Sequence, residues 1–414
     1  MGEGQTFVCL RPEYVSKFQC DGAVCNSKCC KGWMVEIDGP TYQKYCTIEP
    51  KDERKRIVSR IKYKKQRGRF LVEMEKNGEC PFLRSDGLCK IQKTWGADWL
   101  SNTCTVYPRM MYTAGDVLML GLTLTCPVAA KLALLPKEPM AFEEVQLTEA
   151  QREEMIRRCA GQLSRMGDAF LDLQYGGISI LQNRALSIDQ RLILLGFFLD
   201  QAGDMVEAGK PEQIEALAAV YTADDFMERV PEMLRAIVFR PEEYIKSIFG
   251  LIEALYGKDA EYSGREGALM GHVVRAFGLE DAEVPLSQML ETYNLSFRPA
   301  LEKLLEKYGH IFENYLVNEF FLTHQPQTIE GSFVQNFILF VMMYKLLEFL
   351  AVAIFMTEEK PDEARLAELV EHMVMSFDHN MDFLNSVVAD AMKRQKDVVA
   401  CMKNLLYAGE KFSV

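Results

Sequence analysis

This chain is expected to be mainly α, a helical bundle with a small, irregular α+β module at its N-terminal end that is rich in cysteine. Three observations predict it. Apolar residues make up 49% of the 414, enough for a sizeable core. From about Glu144 onward the apolar residues recur at helical spacing. Ten of the twelve cysteines lie before residue 127, so the composition shifts near residue 140. Two parts follow from that shift: a cysteine-rich metal or iron–sulfur module over 1–140 and a helical domain over 141–414.

The elements can be justified in order. Residues 1–50 read as loops and short elements, with a short strand or helix start at Trp33–Ile37. Asp38-Gly39-Pro40 reads as a turn, and a helix is expected from Thr41. Residues 51–69 are strongly basic and read as a solvated helix face, with a docking surface for an acidic partner as the sharper alternative. A strand is expected at Phe70–Met74. Ser85-Asp86-Gly87 reads as a hairpin turn that brings Cys80 and Cys89 together. A helix carrying Trp95 and Trp99 follows. After the turn at Gly115-Asp116 comes an apolar run, Val117–Leu124, and Cys126-Pro127 opens a helix through Leu135. Thr148 with Gln151, and Ser187 with Gln190, have capping-box spacing ahead of helical stretches. Pro361 fits the first turn of a long helix running towards Lys403. The run Phe333–Met356 is long and apolar, yet Lys345 and Glu348 interrupt it. Each would cost roughly 2.5–3.5 kcal/mol in mid-bilayer, so a buried bundle helix is expected and no membrane span.

Charge narrows the function. A net charge of −12 and a pI near 5.2 exclude a general nucleic-acid binder, which needs a basic face. Met1–Leu10 has no basic start followed by an apolar run, which predicts no signal peptide and a reducing cytoplasmic setting. In that setting clustered cysteines bind metal or do redox chemistry more often than they form disulfides.

Eight cysteines carry the chemical information: Cys20, Cys25, Cys29, Cys30, Cys80, Cys89, Cys104 and Cys126. All five histidines fall later in the chain, so a metal here would be held by thiolates, which suit zinc or an iron–sulfur cluster. The spacing is neither that of a zinc ribbon nor of a common radical-SAM motif. Cys25 and Cys29 fit the latter's first step, but Gly32 stands where its third cysteine would be. The adjacent Cys29-Cys30 pair means that eight thiols need not be eight ligands. Buried packing remains the alternative for individual members.

The motifs around these cysteines resemble a known family. They are Phe18-Gln19-Cys20 through Cys29-Cys30-Lys31-Gly32-Trp33, Cys80-Pro81-Phe82-Leu83 through Gly87-Leu88-Cys89-Lys90-Ile91-Gln92, Leu100-Ser101-Asn102-Thr103-Cys104 through Tyr107-Pro108-Arg109, and Leu122-Thr123-Leu124-Thr125-Cys126-Pro127. Later, Glu313-Asn314-Tyr315-Leu316-Val317-Asn318 and Met375-Ser376-Phe377 add to the likeness. The set is similar to a zinc- or iron-chelating domain family, and more closely resembles the flagellin lysine-N-methylase (FliB-type) family. The resemblance implies methyl transfer from S-adenosylmethionine to lysines of flagellin as partner. It also implies an iron–sulfur cluster of the 4Fe–4S kind on some of these thiolates, zinc being the alternative. Tyr107 and Arg109, beside Cys104, are then candidates for lining a pocket near the metal, or for packing. Glu313 and Tyr315, in the later stretch, are candidates for binding or deprotonating an amine. His372 and His379 share a helix face but lack a third donor.

No glycine-rich strand-to-helix turn accompanies the resemblance. Gly176-Gly177 and Gly267–Gly271 lie in the wrong context and read as turns or helix contacts, so the nucleotide-binding fold of ordinary methyltransferases is not expected. The rival reading is a metal-binding or redox-sensing interaction protein without methyl transfer.

Overall fold

The computed structural model describes residues 6–22, 25, 28–66, 68–159, 162–163, 167–235, 237, 240–256, 264–280, 284–322, 333–380 and 384–386. The chain is mainly helical, and it divides into two compact units. One is Met1–Leu132 with Ala141–Leu163; the other is Ala133–Met140 with Ser164–Val414.

The first unit is built on two small sheets. Strand β1 (Thr6–Pro12) buries Phe7 and Cys9 on one face and ends on the buried Pro12. After it come β2 (Glu36–Ile37), β3 (Ile61–Lys64), β4 (Arg69–Val72), β5 (Arg109–Ala114), β6 (Val117–Leu122), β7 (Phe142–Thr148) and β8 (Gln162–Leu163). The larger sheet has the order β7-β1-β6-β5-β8, the smaller β2-β4-β3. β5 and β6 form a hairpin around Gly115, whose φ of 57° suits a residue without a Cβ.

The pairing of β7 with β1 decides where this unit ends. It is antiparallel from Thr6↔Thr148 to Pro12↔Phe142, and Arg11 meets Glu143 at 2.8 Å across it. β7 corrects the sequence reading, in which Glu144 onward is helical, while β1 is one of the short elements expected within residues 1–50. The physical reason is that β7 is an edge strand with only Leu147 fully buried. Its alternation is short, Val145 and Leu147 against the exposed Glu144, Gln146 and Thr148, and its partner is far away in sequence. The helix begins after the strand, where Thr148 and Gln151 close the expected capping box: Thr148 N donates to Gln151 Oε1 at 2.9 Å, and Gln151 N to Thr148 Oγ1 at 3.3 Å.

The helices of this unit are short: α1 (Gly39–Tyr45), α2 (Lys51–Val58), α3 (Lys90–Trp95), α4 (Asn102–Val106), α5 (Pro127–Leu134, entering the second unit) and α6 (Glu149–Cys159). Asp38 begins α1 rather than a turn. Its carboxylate accepts from Thr41 N, with Pro40 in the first turn. The basic stretch is not one helix either: α2 stops at Val58 and β3 follows. Five of its cations are met by carboxylates, Arg54 by Glu49, Arg56 by Glu53, Arg60 by Glu75, Lys62 by Glu73 and Arg69 by Glu36. Such exposed pairs are each worth about 0–1 kcal/mol and form a solvated surface.

The second unit is helical: α7 (Ala169–Leu181), α8 (Ile188–Glu207), α9 (Ile214–Thr222), α10 (Asp224–Met227), α11 (Val230–Leu234), α12 (Pro241–Tyr256), α13 (Gly264–Phe277), α14 (Leu286–Thr292), α15 (Arg298–Leu322), α16 (Phe333–Thr357) and α17 (Glu363–His379). The Ser187–Gln190 capping box that opens α8 forms in full. Pro361 stands outside α17, whose cap is Asp362; residues 387–403 of the expected longer helix lie outside the described residues.

α16 is apolar all round because neighbours surround it: α8, α12, α13, α15 and α17 pack against it. Among the described residues it is the one helix long and apolar enough to cross a membrane, and 94% of its most apolar window is buried inside the protein. Its two charges are answered internally. Lys345 Nζ lies 2.5 Å from Asp189 Oδ1 and 2.8 Å from Glu348 Oε2, and Tyr344 OH donates to Glu348 Oε1 at 2.7 Å.

Candidate functional site

The cysteine module is held together by backbone bonds between segments distant in sequence. Cys80 N donates to Cys30 O at 2.8 Å, and Gly32 N to Gly78 O at 2.9 Å. Lys31 and Glu79, opposite each other between these bonds, pair at 2.9 Å. The turn over Arg84–Gly87 forms as its sequence asks. Gly87 N donates to Arg84 O at 3.0 Å, and Gly87 adopts φ 76°. Leu83 and Cys89 then bridge antiparallel. The turn therefore carries Cys80 and Cys89 as one piece, and that piece is tied to the Cys29-Cys30 pair.

A second set of bonds brings in Cys104. Asp38 accepts from Asn102 N at 2.9 Å as well as from Thr41, joining the start of α1 to the start of α4. Buried Ser101 caps α4 by accepting from Cys104 N at 3.3 Å. Tyr45 OH donates to Trp99 O at 2.7 Å. Beneath these contacts lies an apolar core of Val35, Ile37, Tyr45, Ile48, Cys80, Phe82 and Ile91, against which Cys30, Cys89, Trp33, Trp95 and Trp99 pack.

The electrostatics show which thiols lie within reach of one another. All eight are free thiols rather than disulfides. Burial pushes Cys80 up to about 11 and Cys104 up to about 12, each reinforced by the charge of neighbouring cysteines. Cys104 is exposed as a residue. For Cys30 the Cys29–Cys30 hydrogen bond comes first, then burial, then Cys29, Cys80 and Cys89. The same bond lowers Cys29 to about 7. Cys25 and Cys29 act on Cys20 and on Cys126, both raised chiefly by burial. The thiols thus fall into two groups, Cys80, Cys89 and Cys104 on one side and Cys20, Cys25 and Cys126 on the other. The Cys29-Cys30 pair stands between them.

Among the described residues no three His, Cys, Asp or Glu side chains stand in closed metal-binding geometry. The chemistry of the donors nonetheless suits a cation. Each thiolate makes its neighbours harder to ionise, and a positive ion among them would reverse that interaction.

Tyr107 and Arg109 lie in this unit. Tyr107 ends α4, its hydroxyl is 3.2 Å from Thr125 Oγ1, and its ring centre is 5.9 Å from that of Trp33. Trp33 Nε1 in turn donates to Cys29 O, so Tyr107 is one aromatic ring removed from the cysteine pair. Arg109 stacks on Phe18, its guanidinium carbon 5.2 Å from the ring centre.

Glu313 and Tyr315 belong to the second unit, on α15. Glu313 is 2% exposed and accepts from Arg184 Nη2 and Arg191 Nη1, each at 2.8 Å. Both of its carboxylate oxygens are thus engaged by guanidinium groups. Tyr315 is buried, and burial holds its phenol well above the ordinary value. Gly176 and Gly177 are helix contacts, pressed by Phe198 and Phe320 respectively. His379's side chain, His324, Cys401 and Cys159's side chain lie outside the described residues. Trp33, Asp38, Tyr45 and Ser101 went unnoticed in the sequence as organisers of the module. Only Asp38 before Gly-Pro carried a local signal, that of a helix cap.

A profile of the FliB lysine N-methylase C-terminal domain matches residues 177–406. The chain belongs to the FliB lysine N-methylase family. The FliB match lies in the helical unit and includes Arg184, Arg191, Glu313 and Tyr315. A lysine-N-methylase of Salmonella typhimurium is 35% identical over 138 residues, 32% of this chain and 34% of that protein. A lysine-N-methylase of Salmonella choleraesuis matches at 35% over the same length. The chain thus aligns with about a third of the length of these two FliB-family relatives. The flagellar biosynthetic protein FliU of Salmonella muenchen is 34% identical over 152 residues, 36% of this chain and 88% of that protein. No solved structure matches.

Proposed function

We propose that this chain is a protein-lysine N-methyltransferase that transfers the methyl group of S-adenosylmethionine to lysine ε-amines of flagellin, and that its cysteine unit holds an iron–sulfur cluster of the 4Fe–4S kind. The observation that carries the methyl-transfer reading is the FliB lysine N-methylase match over residues 177–406. The relatives, a lysine-N-methylase and a flagellar biosynthetic protein, supply the lysine and the flagellum.

In this reading the amine first loses its proton to solvent, and its lone pair then attacks the methyl carbon. The new N–C bond forms as the S–C bond breaks, and S-adenosylhomocysteine leaves as a neutral thioether. The protein's task is to strip water from the amine and align it with the sulfonium. Of the four side chains singled out for the reacting site, Tyr107 and Arg109 have the better geometry, being beside the thiol-bearing segments.

Cys30, Cys80, Cys89 and Cys104 are the residues that would hold the cluster. Three are fixed by the Cys80–Cys30 bond and the Leu83–Cys89 bridge, and the fourth by the Ser101 cap. When bound by four thiolates, a cluster supplies reversible one-electron chemistry. Cys29, beside Cys30, stands as the hydrogen-bonding neighbour.

The test is made without oxygen. The purified protein is assayed for iron, sulfide and zinc and its visible spectrum recorded. It is then incubated with S-adenosylmethionine and flagellin, and the flagellin is weighed. Mass steps of single methyl groups are expected. A colourless zinc protein would remove the cluster, and flagellin of unchanged mass would favour the interaction-protein reading.

A further inference from the structure

The second unit contains a cavity of ≈530 Å3, within the range of small-molecule sites. Its wall carries four cationic side chains, Lys137, Arg184, Arg191 and Lys307, against two carboxylates, Glu306 and Glu313. In a chain of net charge −12 such a local excess of positive charge is unusual.

The polar wall is partly built and partly vacant. Arg184 and Arg191 are fixed by Glu313, and Arg184 also donates to Lys137 O at 2.8 Å. Lys137 and Lys307 make no ion pair to Glu313. His310 also lines the cavity; its side chain is 9% exposed, and its buried Nε2 has no hydrogen-bond partner. The nearest carboxylate, Glu363, is 4.0 Å from that nitrogen, beyond hydrogen-bonding distance. Burial, with Lys137 and Arg184, lowers His310 against the pull of Glu363 and Glu313, so the ring is neutral near pH 7 and can donate or accept. Ser187 and Ile188 place the N-terminus of the twenty-residue helix α8 in the same wall, which adds the positive end of its dipole.

We propose that this cavity binds a small, net-negative organic molecule through a phosphate or carboxylate group. Lys137, Lys307 and the start of α8 would supply the field, and His310 a neutral hydrogen bond. S-adenosylmethionine carries a carboxylate, an ammonium and a sulfonium. Its net charge is positive, and this wall repels it. The proposal is therefore independent of the methyl-transfer reading.

Pyrophosphate and citrate serve as probes, titrated into the full-length protein at low ionic strength, with sodium chloride at matched ionic strength as control. Thermal shift and calorimetry are read. Saturable binding of at least one anion is expected above the chloride control. Binding of pyrophosphate alone assigns the phosphate class, and of citrate alone the carboxylate class. Lys137→Gln/Lys307→Gln changes two exposed side chains and should weaken that binding about tenfold or more while leaving the unliganded melting temperature in place. Three results would overturn the proposal: neither anion saturating, equal affinity in the double variant, or S-adenosylmethionine binding that is lost in the double variant.

Discussion

The backbone N–H of Cys80 donates to the carbonyl of Cys30 at 2.8 Å. This bond joins the cysteine pair to the turn that carries Cys80 and Cys89, and so ties three thiol-bearing positions into one rigid piece. Serine at Cys89 or Cys104 should therefore lose iron, sulfide and soluble protein together, because a thiolate site contributes folding energy. Cys46→Ser, at an exposed helix end, should keep all three. Iron and sulfide per chain and soluble yield are the measurements. Full metal and stability in both Cys89→Ser and Cys104→Ser would take those residues off the ligand list.

Glu313→Gln should destabilise the helical unit by about 3–5 kcal/mol, the cost typical of removing one partner of a buried pair. Arg191 is 8% exposed and would be left without its carboxylate. Arg184→Ala should cost less, since Arg184 is 42% exposed and can turn to solvent. Chemical denaturation of the three proteins checks the order. A Glu313→Gln protein of unchanged stability that lost only methyl transfer would restore Glu313 as a reacting group.

Gly177→Ala pits two effects against each other. Alanine is favoured over glycine in a helix by about 1 kcal/mol. The added Cβ would lie 2.3 Å from the ring of Phe320, which is fully buried on α15 and cannot swing aside. Overpacking of that kind costs about 1–3 kcal/mol, so a net loss is expected in thermal unfolding. Phe320→Leu in the same chain should recover part of it.

Glu319 gives the helical unit a pH dependence. Burial, reinforced by Asp378 and opposed by a hydrogen bond from Asn318, raises its carboxyl from 4.5 to about 8. Because the folded value is raised, its contribution is fully present below about pH 4.5 and is lost as pH rises through 8. Glu319→Gln should flatten that slope and be the more stable form above pH 8, by roughly a few kcal/mol. Melting temperatures from pH 5 to 9 decide it. Parallel profiles for the two proteins would mean that Glu319 does not titrate in this window.

Several features were legible because their causes are local. The capping boxes at Thr148 and Ser187 need only residues three apart. The Arg84–Gly87 turn needs a glycine at positive φ. The buried character of α16 follows from an apolar run broken by Lys345 and Glu348. Where the cause was distant, reading failed. β7 alternates over only five residues, Glu144 to Thr148, with Leu147 alone buried, and β1 lies 130 or more residues away. Asp38 was read as part of a turn because its second partner, Asn102 N, is not visible from its neighbours.

By itself the sequence determined that the chain is mainly helical, that its cysteines are gathered in one third of its length, and that α16 lies inside the protein. Those conclusions follow from composition and short-range spacing. The tertiary structure alone decided which thiols are neighbours, that Glu313 is held by two arginines, and that a positive cavity opens beside His310. Each depends on side chains meeting across long loops, where hydrogen bonds and charge act over a few ångströms and sequence distance carries no information.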